Sequence, residues 1–382
     1  MEHALTYLEK HRQAFVQDLT NFVAFPSIST DPAYAEPLTR CRLFLEEHHR
    51  ERGLKARELE TGGTPALYAE APGPPASPTV LIYGHYDVQP ARREDGWDSE
   101  PFTLTEADGR WVARGVSDNK APAMALIKAV ECCLEGEGLP VGVKFLLEGE
   151  EEIGSKHIEE CIVKHRELLR ADSVLISDSM WVAPGTPSLC YGLRGLVYAY
   201  ITVPGPAVDL HSGVHGGVVA NPHVRPLSES EREQFTQVPL DVAAYRERLG
   251  VEALLVEEKL EVLARRWAEP TFEVHGITGG YTGPGAKTIV PAFAEAKVSM
   301  RLVPDQEPEA LFASLVGHVA RHCPEATVTL ESAAPPFLAD PAGPHYQAAR
   351  RAMEVGFGAD PLLAREGGSI PAALWLKEHL GV

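Results

Sequence analysis

The chain has 382 residues and a mass of 41.5 kDa, which exceeds what one compact core usually holds, so we expect two domains. Its formal net charge of −19 disfavours nucleic acid as a partner, because the phosphates would be repelled. No apolar run approaches the roughly 20 residues that a bilayer requires, and the charged segment 1–10 does not resemble a secretory signal, so we expect a cytoplasmic protein without a membrane partner.

The first half of the sequence alternates between helix and strand patterns. Apolar residues at helical spacing predict a first helix that ends by Pro26. Buried strands are then predicted at 79–83, 141–147 and 173–177, with helices over 122–134 and 155–169. This alternation is typical of an α/β domain with a mostly parallel sheet that is covered on both faces.

The second half has a different texture. Alternating β-rich patterns occupy 196–203 and 297–303, and an acidic helix is predicted over 307–318. We therefore predict a discontinuous first domain formed by 1–189 and 336–382, with an inserted α+β domain over 190–335.

Charged residues fall at the ends of the predicted strands. His85 and Asp87 directly follow the first strand, Asp118 directly precedes a helix, an acidic run over 148–152 follows the next strand, and Asp178 ends the one after that. The carboxyl ends of parallel strands line the ligand crevice of such a sheet. We therefore expect one imidazole and several carboxylates to converge on a single cleft.

Such a cluster would repel itself unless a cation lay inside it. Imidazole and carboxylate without thiolate suit Zn²⁺ or a similar divalent ion, and several carboxylates can hold two ions about 3.5–4 Å apart, an arrangement typical of hydrolases. Each piece alone is a weak signal, since an isolated His-x-Asp is more often structural and an acidic run is usually a solvated face. Their conjunction at several strand ends favours a metal-dependent hydrolase site.

Four segments, in order, resemble the metal-binding motifs of the M20 family of metallopeptidases, in its carnosinase-like dipeptidase branch: 83–90 (YGHYDVQP), 114–120 (RGVSDNK), 147–155 (LEGEEEIGS) and 177–178 (SD). The resemblance implies a zinc-peptidase catalytic domain with an inserted lid or dimerisation domain. It implies two Zn²⁺ per subunit, with Mn²⁺ or Co²⁺ as alternative metals. The implied ligands are His85 and Asp178 on one ion, Glu152 on the other, and Asp118 between them.

The same resemblance implies roles for neighbouring residues. Glu151 would be the general base, and Asp87 would hold the His85 ring in position. It also implies a cis peptide bond between Asp118 and Asn119.

Segments of the inserted domain and the C-terminal part are also similar to family segments: 209–213 (DLHSG), 287–291 (KTIVP), 299–301 (SMR) and 365–371 (REGGSIP). The resemblance implies that His211 reaches into the active site of the partner subunit, so that the protein is a homodimer. It implies that the substrate is bound by Thr288, Arg301, Glu366 and Ser369, with the arginine taking the terminal carboxylate of a small peptide.

Two features depart from the family pattern. Asn221-Pro222 runs directly into His223 where relatives carry an additional helical stretch, and the sequence stops at Val382, before the position of the family's last histidine ligand. His379 lies in a helix-like stretch and is not a credible substitute. We expect both features to be omissions from a longer protein.

The predicted reaction is hydrolysis of an amide bond in a dipeptide or similar small peptide, which is metallopeptidase chemistry of EC class 3.4. The alternatives are a deacylase of the same family that removes N-acyl or N-carbamoyl groups from amino acids, and a non-catalytic metal-binding relative. A phosphate-binding interpretation of 283–288 fails, because the P-loop pattern requires glycine directly before lysine.

Overall fold

The structure is a computed structural model in which residues 2–183, 185–204, 229–279 and 293–381 are described. The helices in this part of the chain are α1 (Glu2–Val23), α2 (Ala35–Glu51), α3 (Ala121–Leu134), α4 (Ile158–Lys164), α5 (Arg166–Leu169), α6 (Glu229–Gln237), α7 (Val242–Leu249), α8 (Lys259–Trp267), α9 (Pro308–His322), α10 (Pro344–Phe357) and α11 (Pro371–Leu380). Short 3₁₀-helices occupy Pro32–Tyr34, Arg93–Asp95 and Glu151–Ile153, and a π-type turn occupies Val116–Lys120.

The strands in the described residues are β1 (Lys55–Leu59), β2 (Ala66–Ala71), β3 (Thr79–His85), β4 (Thr105–Ala107), β5 (Arg110–Val112), β6 (Gly142–Glu148), β7 (Ser173–Ile176), β8 (Ser188–Leu193), β9 (Gly195–Pro204), β10 (Thr271–Gly279), β11 (Phe293–Leu302), β12 (Thr327–Ala334), β13 (Phe337–Leu338) and β14 (Leu362–Glu366). The chain divides into two compact units, one formed by Met1–Asp178 with Pro371–Val382 and the other by Ser179–Ile370. None of the helices in the described ranges is both long and apolar enough to cross a membrane.

A mixed sheet forms the centre of the first unit. Its described strands run in the order β1-β2-β6-β3-β7, and β3 pairs in parallel with both β6 and β7. The parallel strands of this sheet are the three that the sequence predicted, whereas β1 and β2 extend it in antiparallel pairing. Because β3, β6 and β7 are parallel, their carboxyl ends lie at the same edge, where the predicted site residues begin.

The core of the first unit lies between this sheet and helices α1, α2 and α3. Phe22 of α1, Leu45 of α2, Ile127 of α3 and Phe145 of β6 are buried together in it. Strand β6 is buried at nearly every position, as expected for a strand that is covered on both faces. Burying a large apolar side chain stabilises a fold by about 1.5–3 kcal/mol, so this core holds the three site-bearing strands in register.

The predicted helix over 155–169 is two helices. The chain forms α4, is interrupted at His165, and resumes as α5. The predicted helix over 122–134 is confirmed as α3, with proline in its first turn, where the missing N–H costs nothing.

The second unit contains an antiparallel sheet and a smaller mixed one. The described strands of the first run in the order β10-β11-β9-β12, and apolar side chains of β9 and β11 pack with α9. In the smaller sheet, β8 pairs with β13 in antiparallel fashion and with β14 in parallel. Because β8 joins β13 and β14, this unit extends beyond the predicted 190–335 on both sides. The functional division into a catalytic domain (1–189 and 336–382) and a lid or dimerisation domain (190–335) remains a prediction.

Candidate active site

His85, Asp118 and Asp178 meet at the carboxyl edge of the parallel strands. Each offers one ligand atom, and these three atoms lie within 4.8 Å of one another. His85 Nε2 is 2.9 Å from Asp118 Oδ1 and 3.7 Å from Asp178 Oδ2. The imidazole is fully buried, whereas the side chain of Asp118 is largely exposed and therefore open to a ligand. These are three of the four residues that the family resemblance implies as metal ligands.

Local structure explains how the three side chains come together. His85 is the last residue of β3, and Asp178 lies two residues beyond the parallel neighbour β7. Asp118 lies in the π-type turn before α3, and its peptide bond to Asn119 is cis, as the resemblance implied. The Asn119 side-chain amide donates to Ser177 O (2.7 Å) and to Asp178 Oδ1 (2.8 Å), which fixes the Asp178 carboxylate.

Asp87 is a fully buried acceptor that connects several parts of the site. Its carboxylate accepts hydrogen bonds from the Ser29 hydroxyl (2.6 Å) and from the backbone N–H groups of Glu151 (3.2 Å) and Glu152 (3.1 Å). His85 Nδ1 lies 3.0 Å from Asp87 O and 3.3 Å from Asp87 Oδ1. The residue therefore fixes the histidine ring and the loop that carries both glutamates.

Glu151 and Glu152 lie in the 3₁₀-helix that follows β6. Burial, together with the neighbouring negative charges of Asp178, Asp87 and Glu148, raises the pKa of Glu151 to about 9 despite the opposing effect of His85. Burial and the Asp118 charge raise the pKa of Glu152 to about 7. Glu152 lies outside the close three-residue group, and its two carboxylate oxygens accept from Gln89 N (3.1 Å) and Gln89 Nε2 (2.9 Å).

Two further acidic residues anchor this loop. The fully buried Glu148 accepts hydrogen bonds from the hydroxyls of Tyr83 and Ser155. Glu150 accepts from Thr64 N (2.8 Å) and is hydrogen-bonded to His157 Nδ1 (2.6 Å). These contacts hold Glu148 and Glu150, the other two acidic residues of the run besides Glu151 and Glu152.

The donor set fits a divalent cation. Burial opposes protonation of His85, yet its hydrogen bonds to Asp118 and Asp87 raise its pKa well above the ordinary value. The surrounding carboxylates therefore stabilise a positive charge at this place. Burial and the nearby Asp118 also raise the pKa of Asp178. A metal ion among His85, Asp118 and Asp178 would relieve this repulsion, and an imidazole with carboxylates and no thiolate suits Zn²⁺.

The predicted substrate residues that can be described belong to the second unit. Arg301 lies on β11, and its Nη1 donates to Ser369 Oγ (3.2 Å). Glu366 ends β14, and its carboxylate accepts from Met180 N (3.2 Å). His211 and Thr288 fall outside the described residues, as does the 221–223 junction.

His379 lies on α11, where its Nε2 is 2.9 Å from Glu159 Oε1 of α4. That this imidazole does not serve as a metal ligand stays a prediction made from the sequence.

Sequence reasoning missed several residues that position the site. Asn119 and Gln89 stand inside the motifs that carried the resemblance, so their spacing next to predicted ligands was a usable signal. Ser29 gave none, because it is 58 positions from Asp87 and belongs to no motif.

Comparison with known proteins gives consistent results. The profile of "Peptidase family M20/M25/M40" matches residues 81–375. The Beta-Ala-His dipeptidase of Rattus norvegicus is 32% identical over 421 residues, covering 98% of this chain and 85% of the relative. The Cys-Gly metallodipeptidase of Saccharomyces cerevisiae is 32% identical over 437 residues, covering 100% of this chain and 90% of the relative.

The crystal structure of human carnosine dipeptidase 1 is similar to this chain, with a TM-score of 0.87 and 32% identity, covering 100% of this chain and 90% of that one. These matches confirm both the resemblance found in the sequence and the predicted fold class.

Proposed function

The chain belongs to peptidase family M20/M25/M40, and we propose that it hydrolyses the peptide bond of dipeptides or similar small peptides in a metal-dependent reaction. The observation that carries the proposal is the convergence of His85, Asp118 and Asp178 at one sheet edge, with Glu151 beside them. Similarity to two dipeptidases over nearly the whole chain supports the substrate class.

We propose two zinc ions per subunit, with Mn²⁺ or Co²⁺ as alternatives. His85 and Asp178 would hold one ion and Glu152 the other, with Asp118 between them. The Asp118 charge contributes to the raised pKa of Glu152, which supports a role for Asp118 in holding both ions. Gln89 would keep the Glu152 carboxylate oriented through its two hydrogen bonds.

The zinc ions, when bound, would supply Lewis acidity that lowers the pKa of water and polarises the scissile carbonyl. Glu151 would take the proton of the attacking water and return it to the departing amine. Its burial and acidic neighbours favour a carboxyl group that binds a proton readily, as this role requires. Asp87 would keep Glu151 and His85 in place through the contacts described above.

The remaining predicted residues would bind the peptide. Arg301 suits a planar carboxylate because its guanidinium can donate to both oxygens. Thr288, Glu366 and Ser369 would contact the substrate, and His211 of a partner subunit would stabilise the developing oxyanion. A homodimer and a cytoplasmic location stay predictions, which analytical ultracentrifugation and cell fractionation would test.

The alternative that uses the same residues is an N-acyl or N-carbamoyl amino acid deacylase. Purified protein, loaded separately with Zn²⁺, Mn²⁺ or Co²⁺, would be assayed with Cys-Gly, β-Ala-His, other dipeptides, and N-acetyl, N-succinyl and N-carbamoyl amino acids. We expect kcat/KM for at least one dipeptide to exceed that for every acyl amino acid. A preference for acyl amino acids would transfer the assignment to the deacylases, and metal-loaded protein inactive on the whole panel would favour the binding-only alternative.

A further inference from the structure

A single residue of the second unit, Arg194, holds three consecutive residues of the loop that follows β14. Its Nε donates to Gly367 O (3.1 Å), and its backbone N–H donates to Gly368 O (3.0 Å). Its carbonyl oxygen accepts from Ser369 Oγ (2.6 Å). A fourth contact, from Nη1 to Glu269 O (3.3 Å), ties the same side chain to the segment after α8. We call the Arg194 guanidinium a brace, because it connects the loop after β14 to the segment after α8.

The loop needs such a brace because of its sequence. Two adjacent glycines lose more conformational freedom on ordering than any other pair of residues, so they do not fix the following serine by themselves. Position 367 has little room for a side chain. A Cβ atom there would lie 2.7 Å from Nη2 of Arg194 and 3.0 Å from Arg266 O. The Arg194 guanidinium therefore lies where a side chain at position 367 would begin.

Ser369 connects this brace to Arg301. Since the Ser369 hydroxyl donates its proton to Arg194 O, its oxygen is available as an acceptor, and Arg301 Nη1 donates to it at 3.2 Å. This bond limits the rotation of the Arg301 guanidinium, and within the described part of the chain its other N–H groups make no further hydrogen bond. A guanidinium held in one orientation can offer two parallel donors to a carboxylate.

The charges around this pair favour an anion. Among the described residues, no carboxylate forms an ion pair with Arg194 or Arg301, although both side chains are half-buried. Burial and the positive charges of Arg301 and Arg266 lower the pKa of Arg194 to about 10, with Glu273 the one opposing influence among the described residues. Burial alone lowers the pKa of Arg301. A bound carboxylate would offset this uncompensated positive charge.

We propose that Arg194 is a positioning residue for recognition of the peptide's terminal carboxylate, because it holds the Gly367-Gly368-Ser369 loop in the place where Ser369 orients Arg301. This inference rests on the proposed function and adds to it a residue that no motif in the sequence had marked. Arg194 itself donates to backbone carbonyls and acts on the substrate through Ser369 and Arg301.

The test compares a dipeptide that the wild-type protein cleaves, Cys-Gly or β-Ala-His, with the same dipeptide carrying a C-terminal carboxamide. The quantity measured is the ratio of kcat/KM for the free acid to kcat/KM for the amide. For Arg194→Met we expect this ratio to fall about 10- to 100-fold, the range for one lost hydrogen bond to a charged group, with KM for the free acid changing more than kcat. Arg265→Met, at an exposed arginine of α8, is the matched control, and its ratio should equal that of the wild type.

Two further variants separate positioning from charge and from misfolding. Arg194→Lys keeps the charge, but one ammonium group does not reproduce the fork that reaches both Gly367 O and Glu269 O, so its ratio should fall as in Arg194→Met. Gly367→Ala keeps the arginine and displaces it through the added methyl group, so its ratio should fall too. Metal content and thermal midpoint are measured for every variant, and a variant that fails to fold is replaced by Gly367→Ala.

The outcomes are distinguishable. A wild-type protein that cleaves no dipeptide refutes the proposed function. A wild type that cleaves dipeptides but does not prefer the free acid, or variants that retain the preference, would overturn this inference alone. Full recovery of the ratio in Arg194→Lys would show that charge, and not positioning, is what Arg194 supplies, and would also overturn it.

Discussion

Replacing Asp87 by asparagine tests whether this buried carboxylate organises the metal centre. The two oxygens accept from Ser29, Glu151 N and Glu152 N, and one of them lies 3.3 Å from His85 Nδ1. An asparagine amide has one acceptor oxygen, so in either orientation its NH₂ group faces at least one backbone N–H. The variant therefore loses at least one hydrogen bond in a site that excludes water.

The magnitude follows from how the lost contacts act on the metal. Residues that orient metal ligands typically contribute 10- to 100-fold to metal affinity, which corresponds to about 1.4–2.7 kcal/mol. Removing one negative charge also relieves repulsion with Glu151 and Asp178 in the metal-free protein. We therefore expect Asp87→Asn to weaken metal binding much more than it lowers the metal-free protein's stability.

The assay is competition between the protein and a chelating dye for Zn²⁺, with urea unfolding of the metal-free protein measured in parallel. Ser29→Ala removes one of the donors and should weaken binding by less than Asp87→Asn. The exposed Asp98→Asn changes the same charge without these contacts and should bind as the wild type does. An Asp87→Asn protein with wild-type metal affinity would refute the reasoning.

Two other predictions concern stability and assembly. Burial and the charges of Lys128 and Arg52 lower the pKa of His48 to about 3, and burial lowers that of His49 to about 4, so between pH 6.5 and 4 the unfolded chain binds protons that the folded chain does not. The free energy of unfolding should therefore fall as pH falls through this window, by about 2 kcal/mol per ring at pH 5. In His48→Gln the urea midpoint should change less between pH 7 and 5 than in the wild type. A change as large as that of the wild type would contradict this prediction. If His211 acts across a two-fold interface, mixing inactive Glu151→Gln and His211→Ala chains should restore about a quarter of the active sites, whereas a fully active monomer would exclude the shared site.

The sequence predicted the part of the fold that carries the site. Strands β3, β6 and β7 were recognisable because buried parallel strands are continuous apolar runs bounded by turn residues. Strand β2 was missed because its alanines are weak strand formers, and β1 because its alternation is dominated by charged residues. The break at His165 could not be predicted because no glycine or proline marks it in the sequence.

The site was predicted to a similar depth and for similar reasons. His85 ends β3 and Asp178 lies two residues beyond β7, so parallel pairing brings these two residues to one edge. Asp118 reaches the same edge from the turn that precedes α3. Ser29 and Arg194 could not be found in this way, because each acts on a segment far away in the sequence. Contacts of that kind depend on the tertiary fold, whereas the spacing within a motif gives information only about residues that are close in the sequence.

Replacement of Glu151 by glutamine tests the central claim most directly. The residue stands beside the proposed ligand Glu152, and the amide keeps its shape while removing its ability to accept a proton. Metal content, measured by elemental analysis after dialysis, should stay at the wild-type level while dipeptide turnover falls roughly 10²–10⁴-fold, the usual range for a lost general base. Glu152→Gln, the matched control, should instead lose metal. A Glu151→Gln protein that binds metal normally and turns over dipeptides at a near-normal rate would contradict the proposed mechanism.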